Sequence, residues 1–156
     1  MNINIPSSFI VPEELKTKYF LIRKLTTKDV YLDYMTIMSS IDIIKKTRGG
    51  SWPSKDLTIE DDLIDLGWHQ REFEHKSSFV FTVFNPQNTE CLGCFYFYPA
   101  GYRKKVDESY DVDVSFWVTQ EAYDQGLYEI LYKTIQEFLK QWPFKKPFWS
   151  NEIIPD

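Results

Sequence analysis

Cysteine and histidine are scarce, with two of each in 156 residues. The cysteines fall together as Cys91-Leu92-Gly93-Cys94, and with no second CxxC and no histidine nearby the four ligands of a structural zinc site are missing. Strand side chains alternate between faces, so an odd separation sends the two sulfurs to opposite sides. They read as small buried hydrophobes, and no metal is expected. Positive charge is also in the minority. Eighteen Lys and Arg against 23 Asp and Glu give a formal net charge of −5, without the basic surface that a nucleic-acid partner requires. No apolar run approaches the roughly 20 residues that span a bilayer. Met1 to Lys18 has neither the basic start nor the apolar stretch of an export signal, so a cytoplasmic protein with no membrane partner is expected.

What is present is enough chain for one domain with its own core, and an aromatic share of 17% to fill it. Residues 19–156 are expected to form that domain, with 1–18 as a leader packed on it. Tyr19 to Leu25 alternates as a strand, and Thr26-Thr27-Lys28-Asp29 resembles a capping box opening a helix with Val30, Tyr34, Ile37 and Met38 on its apolar face. Ile41 to Asp56, with Gly49-Gly50 and Trp52-Pro53, reads as a loop with one helical turn. Thr58 caps a second helix running to His75, with Glu60, Asp61 and Asp62 favoured in its first turn by the helix dipole and Ile59, Leu63, Leu66, Gln70 and Phe73 on one face. Ser78 to Phe84 and Cys91 to Tyr98 form a hairpin, and Asp111 to Val118 is a further strand. Gly126 precedes the strongest helical pattern, Leu127, Ile130, Leu131, Thr134, Ile135, Phe138, Leu139 and Trp142; Pro143 stops it, and Lys146 to Asn151 gives a last strand. The order β-α-α-β-β-β-α-β describes an α/β domain with a mixed sheet.

That order resembles the GNAT superfamily of acyl-CoA-dependent N-acyltransferases, and three segments carry the likeness. Glu14 to Leu25 resembles the opening strand of the ribosomal-protein and small-molecule acetyltransferase branch. Leu92-Gly93 resembles the small pair that begins a central strand. Asp113-Val114-Ser115-Phe116-Trp117-Val118, followed by Glu121 and Gly126, resembles the signature strand and pyrophosphate loop. The family loop reads Q/R-x-x-G-x-G/A; with Gly126 as its central glycine, Tyr123 and Tyr128 take the first and last positions. Relatives continue beyond the fifth strand of their fold, so the resemblance implies a GNAT-like fold with a truncated C-terminal part. It also implies an open sheet edge near Phe148, to be covered by the leader or by a second copy in a homodimer.

The resemblance implies acetyl-CoA as co-substrate, transferred to an amine of a small molecule or peptide N-terminus. The cofactor-binding residues it implies are Phe116, Trp117, Val118, Tyr123, Asp124, Gln125, Gly126, Leu127 and Tyr128, where helix-N-terminal N–H groups meet a pyrophosphate. Asp113 falls where many relatives carry a strand glutamate, which makes it the candidate general base. Against this stands a solvated acidic strand end, since Asp107, Glu108, Asp111 and Asp113 cluster. His69 and His75 read as surface residues of the second helix, and Arg103-Lys104-Lys105 as a solvated loop. Trp52, Trp68, Tyr96, Tyr98 and Trp117 read either as an acceptor pocket or as core. Two functions follow, a working N-acetyltransferase and a GNAT-like binding or assembly module without turnover.

Overall fold

In the computed structural model, which describes residues 2–156, six strands form one sheet in the order β1 to β6. β1 (Glu14–Lys16), β2 (Leu21–Lys24), β3 (Phe79–Phe84), β4 (Cys91–Tyr98) and β5 (Val112–Val118) follow one another antiparallel, and β6 (Pro147–Trp149) runs parallel to β5. A parallel neighbour needs a crossover, which α5 (Leu127–Leu139) supplies. The remaining helices are α1 (Val30–Met38), α2 (Ile41–Arg48), α3 (Ile59–Glu74) and the short α4 (Gln120–Asp124). None of the described helices is long and apolar enough to cross a membrane.

Every residue of β3, β4 and β5 is buried, because helices cover both sheet faces, and these strands therefore read as continuous apolar runs. On one face Phe81, Phe95 and Phe97 pack with Phe138 and Trp142. Ile3, Ile5, Phe9 and Val11 of the first segment join that cluster, and Lys76 Nζ donates to the Ser7 and Phe9 carbonyls. On the other face Val80, Cys94, Tyr96 and Trp117 meet Ile37, Ile44 and Leu66 of α1, α2 and α3. β1 extends the sheet beside β2, at the edge opposite β6, so of the two covers expected for the edge near Phe148, the leader's strand lies at the other edge.

Three further local differences matter for the site. Ile41 to Arg48 is a two-turn helix rather than loop, ended by Gly49 at φ 87° and ψ 174°, an extended positive-φ conformation that is open to glycine. α3 is capped as expected, with Thr58 Oγ1 accepting from Asp61 N at 3.1 Å, but its inward face differs: Leu63 is 45% exposed whereas Asp62 is 1% exposed. The pairing of β3 with β4 shifts register between Val83 and Phe84, and this bulge breaks the alternation. It brings the Cys91 thiol beside Thr36 of α1, on the side that Cys94 also faces. Both thiols are free, and burial pushes Cys91 up to about 12 and Cys94 well above its usual value, so neither is a thiolate.

Candidate functional site

β5 and β6 pair only from Val112 to Val114 and then part. Ser150 N donates to Val114 O at 2.9 Å, and the next side chain, Asn151, fills the opening. Its Oδ1 accepts from Phe116 N at 3.0 Å, and its Nδ2 donates to Phe116 O at 2.9 Å and to Tyr128 Oη at 2.6 Å. Tyr128 donates in turn to Ile153 O and stacks on Phe116 with ring centroids 4.6 Å apart. Burial raises the Tyr128 hydroxyl to about 12, so it stays a donor at neutral pH. The Phe116 and Val118 side chains point into the α5 core, while Trp117 lies on the other face and donates to Tyr96 Oη at 2.8 Å.

Gly126 begins α5 at φ 81°, and a Cβ built there would meet no atom within 4 Å. The first N–H groups of the helix, from Leu127 onward, have no intrahelical acceptor. Tyr128, the bulky residue at the last motif position, turns inward and leaves this approach clear. Tyr123 is half-buried against Tyr128, whereas Asp124 and Gln125 are exposed, Asp124 accepting from Gln120 at 2.9 Å. The start of α5 is thus sterically open. At Phe116 both backbone groups are already occupied by Asn151.

Asp113 is fully buried. Its Oδ1 accepts from Ser150 Oγ at 2.8 Å, and its Oδ2 has no partner among the described residues. Burial raises its pKa, opposed by Ser150 and by the charges of Arg103, Arg48 and Lys104. Arg103 donates to Ser150 Oγ at 2.8 Å and to the carbonyls of Arg48 and Gly49. The expected solvated loop is thus partly a clamp, with Lys104 paired to Glu152 at 3.2 Å.

A cavity of about 330 Å³ opens on the α1 to α3 side of β4, next to Arg103. Asp33, Asp62, Asp65, His69, Arg48 and the rings of Trp52, Tyr96, Tyr98 and Tyr102 border it. His69 is therefore a cavity residue, not a surface one; burial, then the nearby Arg48 charge, lowers it to about 4 and keeps it neutral. His75 only caps α3, and Trp68 is 60% exposed. Among the described residues no three His, Cys, Asp or Glu side chains are arranged to hold a metal.

Trp52, Tyr96 and Tyr98, offered as an acceptor pocket, do border this cavity, but its charged residues were missed for two reasons. Arg48 lay in a stretch read as loop, and Asp62, Asp65 and His69 share a helix face at i, i+3, i+7 that carries polar rather than apolar residues. Asp113 does not border the cavity; it sits behind Arg103 and Ser150.

No protein-family model and no curated protein matches the sequence. Solved structures do match. RimL, a ribosomal alpha-N-protein acetyltransferase in complex with coenzyme A, aligns with TM-score 0.62 over 81% of this chain and 67% of its own, at 12% identity. The chain has the GNAT acetyltransferase fold. The microcin C7 self-immunity acetyltransferase MccE, in complex with acetyl-CoA and AMP, aligns with TM-score 0.65 over 89% of this chain and 73% of its own, at 16% identity. A ribosomal-protein-S5-alanine acetyltransferase from Vibrio fischeri gives 0.63 over 83% and 68%, at 13% identity. Identities this low carry the GNAT fold and leave the activity to be argued from the site.

Proposed function

We propose that the chain is an acetyl-CoA-dependent N-acetyltransferase acting on the amine of a small molecule or of a peptide N-terminus. The observation that carries this reading is the open approach at Gly126, in the segment that follows β5, the strand paired with β4, whose Cys94, Tyr96 and Tyr98 border the charged cavity. A thioester lying along β5 from that helix end meets an amine held in the cavity. The helix N-terminus takes the pyrophosphate, with residues 123 to 128 as the loop around it. The amine nitrogen attacks the thioester carbonyl, the carbon–sulfur bond breaks, and the sulfur leaves as thiolate. The ammonium must first lose its proton, and Asp113 takes it by way of Ser150 or a water, since its carboxylate is buried with one oxygen unpartnered. The same reading puts the protein in the cytoplasm, and a second copy at the three-residue β6 edge is part of it, supported by that strand's unpaired outer side.

One observation favours the second reading, a GNAT-fold binding module without turnover. Asn151 already satisfies both backbone groups of Phe116, so the pantetheine route is open only after that side chain leaves. Release of the CoA thiol from acetyl-CoA, followed with a panel of amino acids, short peptides and diamines, separates the two. Amine-dependent release well above acetyl-CoA hydrolysis is expected; no release with any amine, from protein that binds acetyl-CoA, upholds the binding module.

A further inference from the structure

The cavity beside β4 is lined by groups of opposite charge that form no ion pair with one another or with any other described residue. Its acidic groups are Asp33 of α1 and Asp62 and Asp65 of α3. Asp62 is 1% exposed and no N–H or hydroxyl reaches its Oδ2. Asp33, also buried, is held well above the usual carboxylate range by burial and by Asp62 beside it, and burial raises Asp62 as well. No Lys or Arg forms an ion pair with any of the three among the described residues. A buried carboxylate pair with no cation is costly unless something else neutralises it.

Arg48, the last residue of α2, is buried at 7% exposure. Its Nε donates to Ser115 Oγ at 3.1 Å, and its guanidinium lies over the Tyr96 ring at 4.0 Å. These contacts fix its plane. Its two terminal nitrogens donate to no group among the described residues, and no carboxylate lies within ion-pair distance, so the fork that matches an oxyanion is unused. His69, Tyr96 and Tyr98 also border the cavity and pack on one another, and no Asp33, Asp62 or Asp65 oxygen lies within ion-pair distance of Arg48.

We propose that this cavity binds a small amine that also bears an oxyanion, its ammonium on Asp62 and Asp33 and its carboxylate or phosphate on Arg48. The cavity volume of about 330 Å³ suits a molecule of amino-acid to dipeptide size. The bound ammonium supplies the cation that the buried aspartates lack, and neutral His69 with the tyrosines borders the ligand. This rests on the acceptor reading above and narrows it, from any amine to one carrying an anion.

The test is calorimetric titration of the whole chain without acetyl-CoA. The probes are linear amino carboxylates of four to six carbons, an aminoalkyl phosphate of matching length, and the diamine and alkanoate that each lack one pole. At least one amino oxyanion should bind about tenfold or more tighter than both single-pole controls, and the carboxylate and phosphate arms show which anion is preferred. Arg48→Gln should reduce its affinity to that of the diamine, and Asp62→Asn to that of the alkanoate, in variants whose circular dichroism matches the parent. Affinities within about threefold for all probes, no binding at millimolar concentration, or unchanged discrimination in Arg48→Gln overturns the proposal. If a variant does not fold, the wild-type panel decides alone. An amino oxyanion that binds but is never acetylated upholds this cavity assignment while contradicting the transferase reading, so the two fail separately.

Discussion

Gly93→Ala is expected to leave little or no folded protein. A Cβ at Gly93 would stand 2.1 Å from the Trp117 carbonyl oxygen and 3.0 Å from Val118 Cα. Both are backbone atoms of β5, the strand that pairs with Gly93 through Val118, so no side-chain rotation relieves the overlap. The strands must separate where Leu92 O accepts from Thr119 N at 2.9 Å. The sheet centre, buried on both sides, has no room for the move. The loss should exceed about 4 kcal/mol, a large part of the roughly 5–15 kcal/mol that holds a domain together. Gly126→Ala is the contrast, since the space there is open and only the positive φ opposes a side chain; it should cost on the order of 1 kcal/mol. Thermal melts of the two soluble proteins make the comparison. A Gly93→Ala protein that melts within a few degrees of the parent would contradict the packing described for β4 and β5.

Asp113→Asn is expected to lower kcat/KM by roughly 10²- to 10⁴-fold at neutral pH, the usual worth of a positioned base, with acetyl-CoA affinity nearly unchanged. The carboxylate must be ionised to accept a proton, and burial raises its pKa. Activity should therefore fall as pH drops through a value above that of an ordinary aspartate, and be restored above it. The amide keeps the shape and can still accept from Ser150, so lost folding would not explain the loss. A near-normal rate in Asp113→Asn together with an inactive, folded Asp62→Asn would move the proton to the cavity aspartates. His69, held neutral to about pH 4, makes a poor base at neutral pH.

The fold was largely legible because its signals are long and mutually consistent. The Thr58 cap and the hairpin around Asn85 to Asn88 stand as read, and the pattern read from Leu127 to Trp142 is a helix as far as Leu139. α2 was not legible, since Ile41 to Arg48 mixes β-branched and charged residues and ends in two glycines that dominate any local reading. Asp113 and Gly126 were placed by the family resemblance of their strand and loop, and the structure adds that one is fully buried and the other open. The charged cavity was not legible. Burial of Asp33 and Asp62 runs against the rule that acids face water, and periodicity read only from apolar residues put Leu63 inward in place of Asp62. Asn151 gave no signal either, because its bonds to Phe116 span 35 positions.

The central claim is that β5 and the start of α5 form a site for acetyl-CoA, and a thermal-shift titration with acetyl-CoA tests it most directly. Ligand at about a hundredfold over its dissociation constant stabilises a native-state binder by about 2.7 kcal/mol, a rise in Tm of roughly 5–10 °C for a domain of this size. The account predicts a saturable shift of that order with acetyl-CoA and with CoA, diminished in Gly126→Val, whose side chain occupies the open approach. No shift with either at millimolar concentration would contradict it.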